Sequence, residues 1–310
     1  MVKYASNIFE IIDLVYYPSK IFGMAPYSKT LDEHGGSIYT ANPINLKSVF
    51  HMAGVSLLII ATSSLRITMD IIDMEIDFSL YVLGTAYVLG QLEVIGKLFE
   101  MLMNQKYFVA CLDLVNNSDD LVKELTFSVS YKLLDIIFFR VILFFPIWSL
   151  IAAVPSWETI NVISTNGIFS YESVRFIFQL LNVSLIYIIR SSSLYCNLSF
   201  VIIIFERFKF LNLYLRCIKN DGRSEVIKSV IERTRNLYHV LFKLTSNVNI
   251  TFGWAILARM TMWFLEVISL LVALKYSTIM GFLHITVGMS ILDGVEMITM
   301  LVICQKLKNE

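Results

Sequence analysis

The sequence predicts an all-α fold, a bundle of helices that crosses a lipid bilayer several times. Three observations carry this. The 310-residue chain is 56% hydrophobic and 16% charged, its mean hydropathy is +0.68, and its apolar residues gather into long runs rather than alternating. Soluble domains sit near 45–50% apolar and ~25% charged, so one water-facing domain has no room for this much apolar surface. A membrane β-barrel would show alternating segments of about 10 residues, which these runs do not.

A bilayer core of ~30 Å takes roughly 20 residues of helix. In order along the chain, residues 1–47 form a segment ahead of the first span. "MVKYASNIFEIIDLVYYPSK" has no compact apolar core with a small-residue cleavage site, so no signal peptide is expected. Six spans follow, at 48–69, 78–102, 133–153, 172–194, 252–275 and 279–303, and a tail covers 304–310. All five prolines precede residue 156, which leaves the second half free to form long helices. The fourth span has an unusual end. From Phe176 to Ile204 the only charge is Arg190, and then "FERFKFLNLYLRC" brings Glu206, Arg207 and Lys209 among continuing aromatics and leucines. Charge arriving at one point along the axis marks an exit from lipid into a layer still packed against protein.

Lys and Arg set the orientation. "DIIDMEID" after span one and "VPSWETINVISTNGIFSY" after span three carry none, and the turn after span five holds only Lys275. The other face collects Lys3, Lys20, Lys29 and Lys47, then Lys106, Lys123 and Lys132. Nine more lie between Arg207 and Lys243, and Lys306 and Lys308 close the chain. The N-terminus and the tail are therefore expected in the cytosol, with a plasma-membrane, multi-pass chain between them. Cytosolic segments 103–132 and 195–251 are too patterned to be linkers. "KYFVACLDLVNNSDDLVKEL" and "RSEVIKSVIERTRNLYHVLFKLTSNVNI" both carry helical periodicity, the second through Val226, Val230, Leu237, Val240, Leu241 and Leu244. They are expected to extend spans two, four and five as a bundle outside the lipid. The four cysteines show neither pairing nor metal spacing.

No enzymatic signature is present: no GxSxG, phosphate loop, GxGxxG or HExxH. Zero net charge gives no reason to expect nucleic acid, and no metal or cofactor is called for. Charges inside spans are costly unless paired, which makes them informative. Spans five and six run antiparallel about a turn near 277, which sets Arg259 level with residue 295. Arg259 is expected to pair with Asp293 or Glu296. Glu93 and Lys97 form an i,i+4 pair on span two, with Arg140 at similar depth. The outer half offers Phe144, Phe145 and Trp148, then Phe178, Gln179 and Asn182, then Glu266, Phe282 and His284. Aromatics with a few polar groups suit a small-molecule pocket and equally suit packing.

Several stretches resemble the insect gustatory receptors, within the insect seven-helix chemoreceptor superfamily. "YYPSKIFGMAPYSK" is similar to the family's opening Phe-Gly and Pro-aromatic pattern. "FERFKFLNLYL" resembles its Arg-Phe, Leu-Asn, Leu pattern through Arg207, Phe208, Leu211 and Asn212. "LTSNVNITFGWAIL" resembles its Asn-x-x-Phe-Gly pattern through Asn249, Phe252 and Gly253, and "VICQKLKNE" its exit from span six. The resemblance implies a subunit of a homo- or hetero-tetrameric ligand-gated cation channel. It also implies an inward N-terminus, a small-molecule tastant held between the outer halves of spans two to six, and cytosolic helix extensions forming a shared anchor. The family's seventh, pore-lining helix carries Thr-Tyr, five residues, then Gln-Phe. That signature is found nowhere before Glu310, so a chain truncated ahead of its pore wall is the expectation. The alternative is a multi-pass transporter, which would show inverted repeats or helices broken at mid-membrane. Neither is visible.

Overall fold

The computed structural model describes residues 7–31, 37–44, 46–72, 78–125, 129, 131, 171–218 and 224–276, with Gly294, Ile298, Leu301, Val302 and Gln305 beyond them. The chain opens with α1 (Ile8–Ile21). Its Ile8, Ile11, Ile12 and Val15 recur at helical spacing and are all buried. Asn7 caps it, its Oδ1 accepting the Glu10 N–H at 2.9 Å. Gly23, at φ 77°, ends it. There the chain reverses so that the Met24 and Ala25 N–H groups donate to Ser19 O at 2.7 and 3.2 Å, a left-handed turn that favours glycine. Two short strands follow, β1 (Ser28–Leu31) and β2 (Ser37–Thr40), paired antiparallel with Ser28 opposite Thr40. This hairpin is a correction to the all-α expectation.

Asp13 fastens the hairpin to α1. It takes Ser37 Oγ at 2.7 Å, Lys29 Nζ at 2.7 Å and the Tyr39 hydroxyl. Burial first, and the Asp13 hydrogen bond after it, push the Tyr39 phenol well up, so it stays a donor.

Among the described residues four long helices make the body: α2 (Leu46–Ile72), α3 (Phe78–Glu124), α4 (Tyr171–Ile218) and α5 (Ser224–Tyr276). Each of the last three joins an expected span to a patterned segment in one unbroken helix. In α5 the stripe read from sequence is the packed one, with Leu237, Leu241 and Leu244 fully buried. The α3–α5 pairing is the most extensive in the fold, and it is antiparallel. Arg259 meets Glu93 at 3.3 Å, Asn104 Nδ2 donates to Ile250 O at 3.0 Å, and Arg233 Nη1 donates to Glu124 O at 3.4 Å. Numbers climb on one helix as they fall on the other, over roughly 45 Å at 1.5 Å per residue. Helix α4 runs parallel to α3 and antiparallel to α5. Its Phe200 lies edge-on to Phe108 at 5.7 Å and tilted against Phe252 at 6.1 Å. Helix α2 packs against α4 and turns Leu57, Leu58 and Ile60 outward.

Among the described residues three stretches are long and apolar enough to cross a membrane: Leu46–Ser64, Ile188–Arg216 and Val230–Ser269. The second is mostly buried within the protein and the first mostly exposed. The first span expected from sequence falls on α2, the second on α3, the fourth on α4 and the fifth on α5. Segments 133–153 and 279–303 lie outside the described residues, apart from Gly294, Ile298, Leu301 and Val302, which are helical. A Cβ on Gly294 would meet the Trp263 indole at 3.3 Å. Residue 294 therefore lies about one turn from the level of Arg259, close to the register read from sequence.

Candidate functional site

Glu93 lies on the face of α3 turned toward both α4 and α5, with its side chain only 1% exposed. A lone buried carboxylate would lose several kcal/mol of hydration, and three cations answer it. Lys97, one turn along α3, places Nζ 2.8 Å from Oε1. Arg190 of α4 places Nη2 2.8 Å from Oε2, and Arg259 of α5 donates from Nη1 to the same oxygen at 3.3 Å. Two turns beyond Arg259 on α5, Glu266 adds the second carboxylate. Its Oε1 is 3.5 Å from Arg190 and 3.9 Å from Arg259. Glycine makes room: a Cβ at Gly90 would lie 3.1 Å from Arg190 Nη2, so any side chain there would press on the guanidinium. Five charged groups thus tie three helices at one level.

Two further polar nodes lie along the bundle. Toward the start of α4, Asn182 Nδ2 donates to Thr62 Oγ1 at 2.8 Å and Ser63 Oγ at 2.9 Å, joining α4 to α2. Toward the opposite end, Arg207 donates from Nε at 3.2 Å and Nη2 at 2.8 Å to Asp119 Oδ1. Tyr131 donates its hydroxyl to Asp119 Oδ2, with its ring 5.9 Å from the guanidinium carbon. Burial, then the Asp119 charge, push the Tyr131 phenol well up, which keeps that proton on Tyr131. Between the charged levels lies an aromatic layer in which Tyr27 stacks on Phe108 at 4.9 Å and Phe252 meets Phe108 edge-on at 6.2 Å.

The residues read from sequence divide clearly. Glu93 and Lys97 pair as expected, while Arg140 lies outside the described residues. Arg259 is held by Glu93 and Glu266, whereas its expected partners Asp293 and Glu296 lie outside. Of the pocket candidates, Asn182 is buried in its node with α2 and Glu266 joins the charged cluster. Phe178 and Gln179 sit on α4 with side chains outside the described set, as are Phe144, Phe145, Trp148, Phe282 and His284.

Among the motif residues, Arg207, Leu211 and Phe252 are buried, Phe208 lies edge-on to Tyr238 at 6.2 Å, and Asn212 is half-buried. Asn249 is exposed, its side-chain oxygen 3.4 Å from where a Gly253 Cβ would stand. Sequence reasoning missed Arg190 as a hub, noting it as the lone charge of an apolar run and assigning it no partner. The rule that located Arg259 applies to it equally. Asp119 and Tyr131 gave no such signal, because both sit in segments rich in polar residues.

Among the described residues no group of His, Cys, Asp and Glu is arranged to hold a metal ion, and Cys111 and Cys196 are buried free thiols. No protein-family model matches the chain, and no curated protein matches it either.

Proposed function

We propose that the chain is a membrane-embedded chemosensory receptor subunit, similar to the insect gustatory receptors and of the ligand-gated cation channel type. One observation carries this reading. The stretches that resemble that family are far apart in sequence, yet key residues of the first and third meet on one side chain. Tyr27 of the first and Phe252 of the third both pack on Phe108. Arg207 and Leu211 of the second are buried along α4 just beyond this layer. Motifs packed in one layer, or directly beyond it, have a common structural reason to recur together. The long helices α3, α4 and α5 add support, since each carries one continuous rod from an apolar stretch into a charged one.

In this reading a small-molecule tastant occupies the outer half of the bundle and binds the open state more tightly, and that difference moves the gate. The charged cluster lies between the ligand's half and the motif layer. It is the joint through which α3, α4 and α5 must move relative to one another. Four subunits surround the pore, in the plasma membrane, with the amino terminus inside.

The test is to express the chain with related receptor subunits and record cation current during application of sugars and bitter compounds. Tastant-evoked current that disappears with Glu93→Gln, while surface expression persists, is the expected result. Surface labelling of an N-terminal tag in intact cells by an impermeant antibody would overturn the topology and the receptor reading with it.

A further inference from the structure

The foot of α2 and the end of α1 share an exposed surface that neither the charged cluster nor the motif layer uses. Tyr17 and Ile21 lie one turn apart on α1, Leu46 and Phe50 one turn apart on α2, and all four are exposed. The two pairs are neighbours: His51 Nε2 is 3.0 Å from Ile21 O, and Met52 Cα is 3.9 Å from where a Gly23 Cβ would stand. Contiguous large apolar side chains left open to solvent mark a contact surface.

Basic charge lies within it. Lys20 donates from Nζ to Tyr27 O at 2.7 Å. Burial first, and then the Lys47 charge, pull its pKa down, and the Ile21–His51 contact sets Lys20 and Lys47, one turn before His51, on neighbouring helix ends. Neither pairs with a carboxylate among the described residues, and Asp13 on α1 is already held by Lys29. Lys29 also lies 5.8 Å over the Tyr17 ring. The surface continues along α2 into the exposed Leu57 and Leu58 of a stretch long enough to cross a bilayer. A membrane covering those residues ends, at its headgroups, level with Lys47.

We propose that this surface seats on the anionic phospholipid headgroups of one leaflet. Lys20 and Lys47 flank a headgroup phosphate, and Tyr17, Ile21, Leu46 and Phe50 rest at the boundary between headgroups and acyl chains. Cations on two neighbouring helix ends suit an anion between them. Lysine binds phosphate as a point charge while its stem lies along apolar surface. Tyrosine at the headgroup level is the usual interfacial anchor. The inference rests on the membrane reading of α2 and not on the chemosensory one.

The experiment uses the full chain in nanodiscs of phosphatidylcholine alone and of phosphatidylcholine mixed with phosphatidylserine. Hydrogen exchange is read at residues 17–31 and 46–52. Phosphatidylserine should slow exchange there in the wild type and in Lys243→Gln, which alters an exposed lysine elsewhere. Each of Lys20→Gln and Lys47→Gln should forfeit about fivefold of that slowing. Lys20 also holds a backbone carbonyl, so Lys47→Gln, which breaks no hydrogen bond among the described residues, decides the matter if the Lys20 variant fails to fold. Equal exchange in both discs, or full slowing in Lys47→Gln, overturns the proposal. So does the same slowing from soluble phosphoserine added to phosphatidylcholine discs, which would mean a free-anion site. Failure of the chain to enter phosphatidylcholine discs would instead refute the membrane reading beneath it.

Discussion

The bundle buries arginine against carboxylate at two levels, and the two are built differently. At the Asp119 level one guanidinium gives two hydrogen bonds to one carboxylate oxygen, and one phenol takes the other oxygen. Each group there has an assigned place. At the Glu93 level three cations surround two carboxylates, with Arg190 and Arg259 sharing Glu93 Oε2 and also both reaching Glu266. Sharing permits exchange, because either arginine can lean toward either acid without leaving a charge bare. The first arrangement fixes α3 to α4 like a rivet. The second holds three helices while allowing their relative positions to change. Buried ion pairs are poor sources of net stability but severe when broken, and the contrast predicts where breakage matters.

The largest effect should come from Glu93→Ala, which strands cations from three helices in one step. A loss of about 3–5 kcal/mol is expected, read as a lowered thermal midpoint in nanodiscs. Glu266→Ala should cost clearly less, since both arginines keep Glu93. Equal losses would deny Glu93 its role as hub. Next come the arginines themselves. Arg207→Lys cannot reproduce two bonds from one planar fork and should lose roughly 1.5–3 kcal/mol. Arg259 reaches both acids through Nη1, a contact that a lysine ammonium can also make, so Arg259→Lys should lose less than Arg207→Lys. The reverse order would erase the distinction between rivet and joint.

Cys111, buried on α3 between the two levels, tests whether water reaches the wall joining them. Burial pushes its thiol from the ordinary 9.0 up to about 12. The folded protein therefore holds this proton where the unfolded chain releases it. The stabilisation is complete below pH 9 and is lost as pH climbs toward 12. Native protein should resist alkylation at pH 9, and Cys111→Ala should flatten the alkaline fall in thermal midpoint. Rapid alkylation of the folded chain would mean a wet wall. The smallest effect is expected from Gly90→Ala. Crowding of Arg190 there outweighs the helix-propensity gain of ~1 kcal/mol by only a little.

Much of the architecture was legible because helices declare themselves by period. The Leu237, Leu241, Leu244 stripe and the length of α4 beyond its apolar run both follow from spacing and charge position. The α1–hairpin unit was legible only in part. Ile8, Ile11, Ile12 and Val15 carry a helical stripe, but the hairpin's strands, four residues each, are too short to signal pairing. The site was harder still. Charge within an apolar run identifies candidates, yet partner choice depends on which helices touch. Nothing in spacing alone says that Glu93 of α3 stands between Arg190 of α4 and Arg259 of α5. Asn182 illustrates the same limit, since its role is set by Thr62 and Ser63, 120 and 119 residues away.

The unbroken length of α5 has a mechanical consequence. A helix of 53 residues is a rod of about 80 Å, with no hinge where its surroundings change from apolar to charged. Pivoting it by about 5° near Arg259 would sweep a point 45 Å farther down by nearly 4 Å, about the width of a methyl group. A displacement too slight to notice beside a small molecule would thus become, at the far end of the lever, a shift large enough to repack a contact.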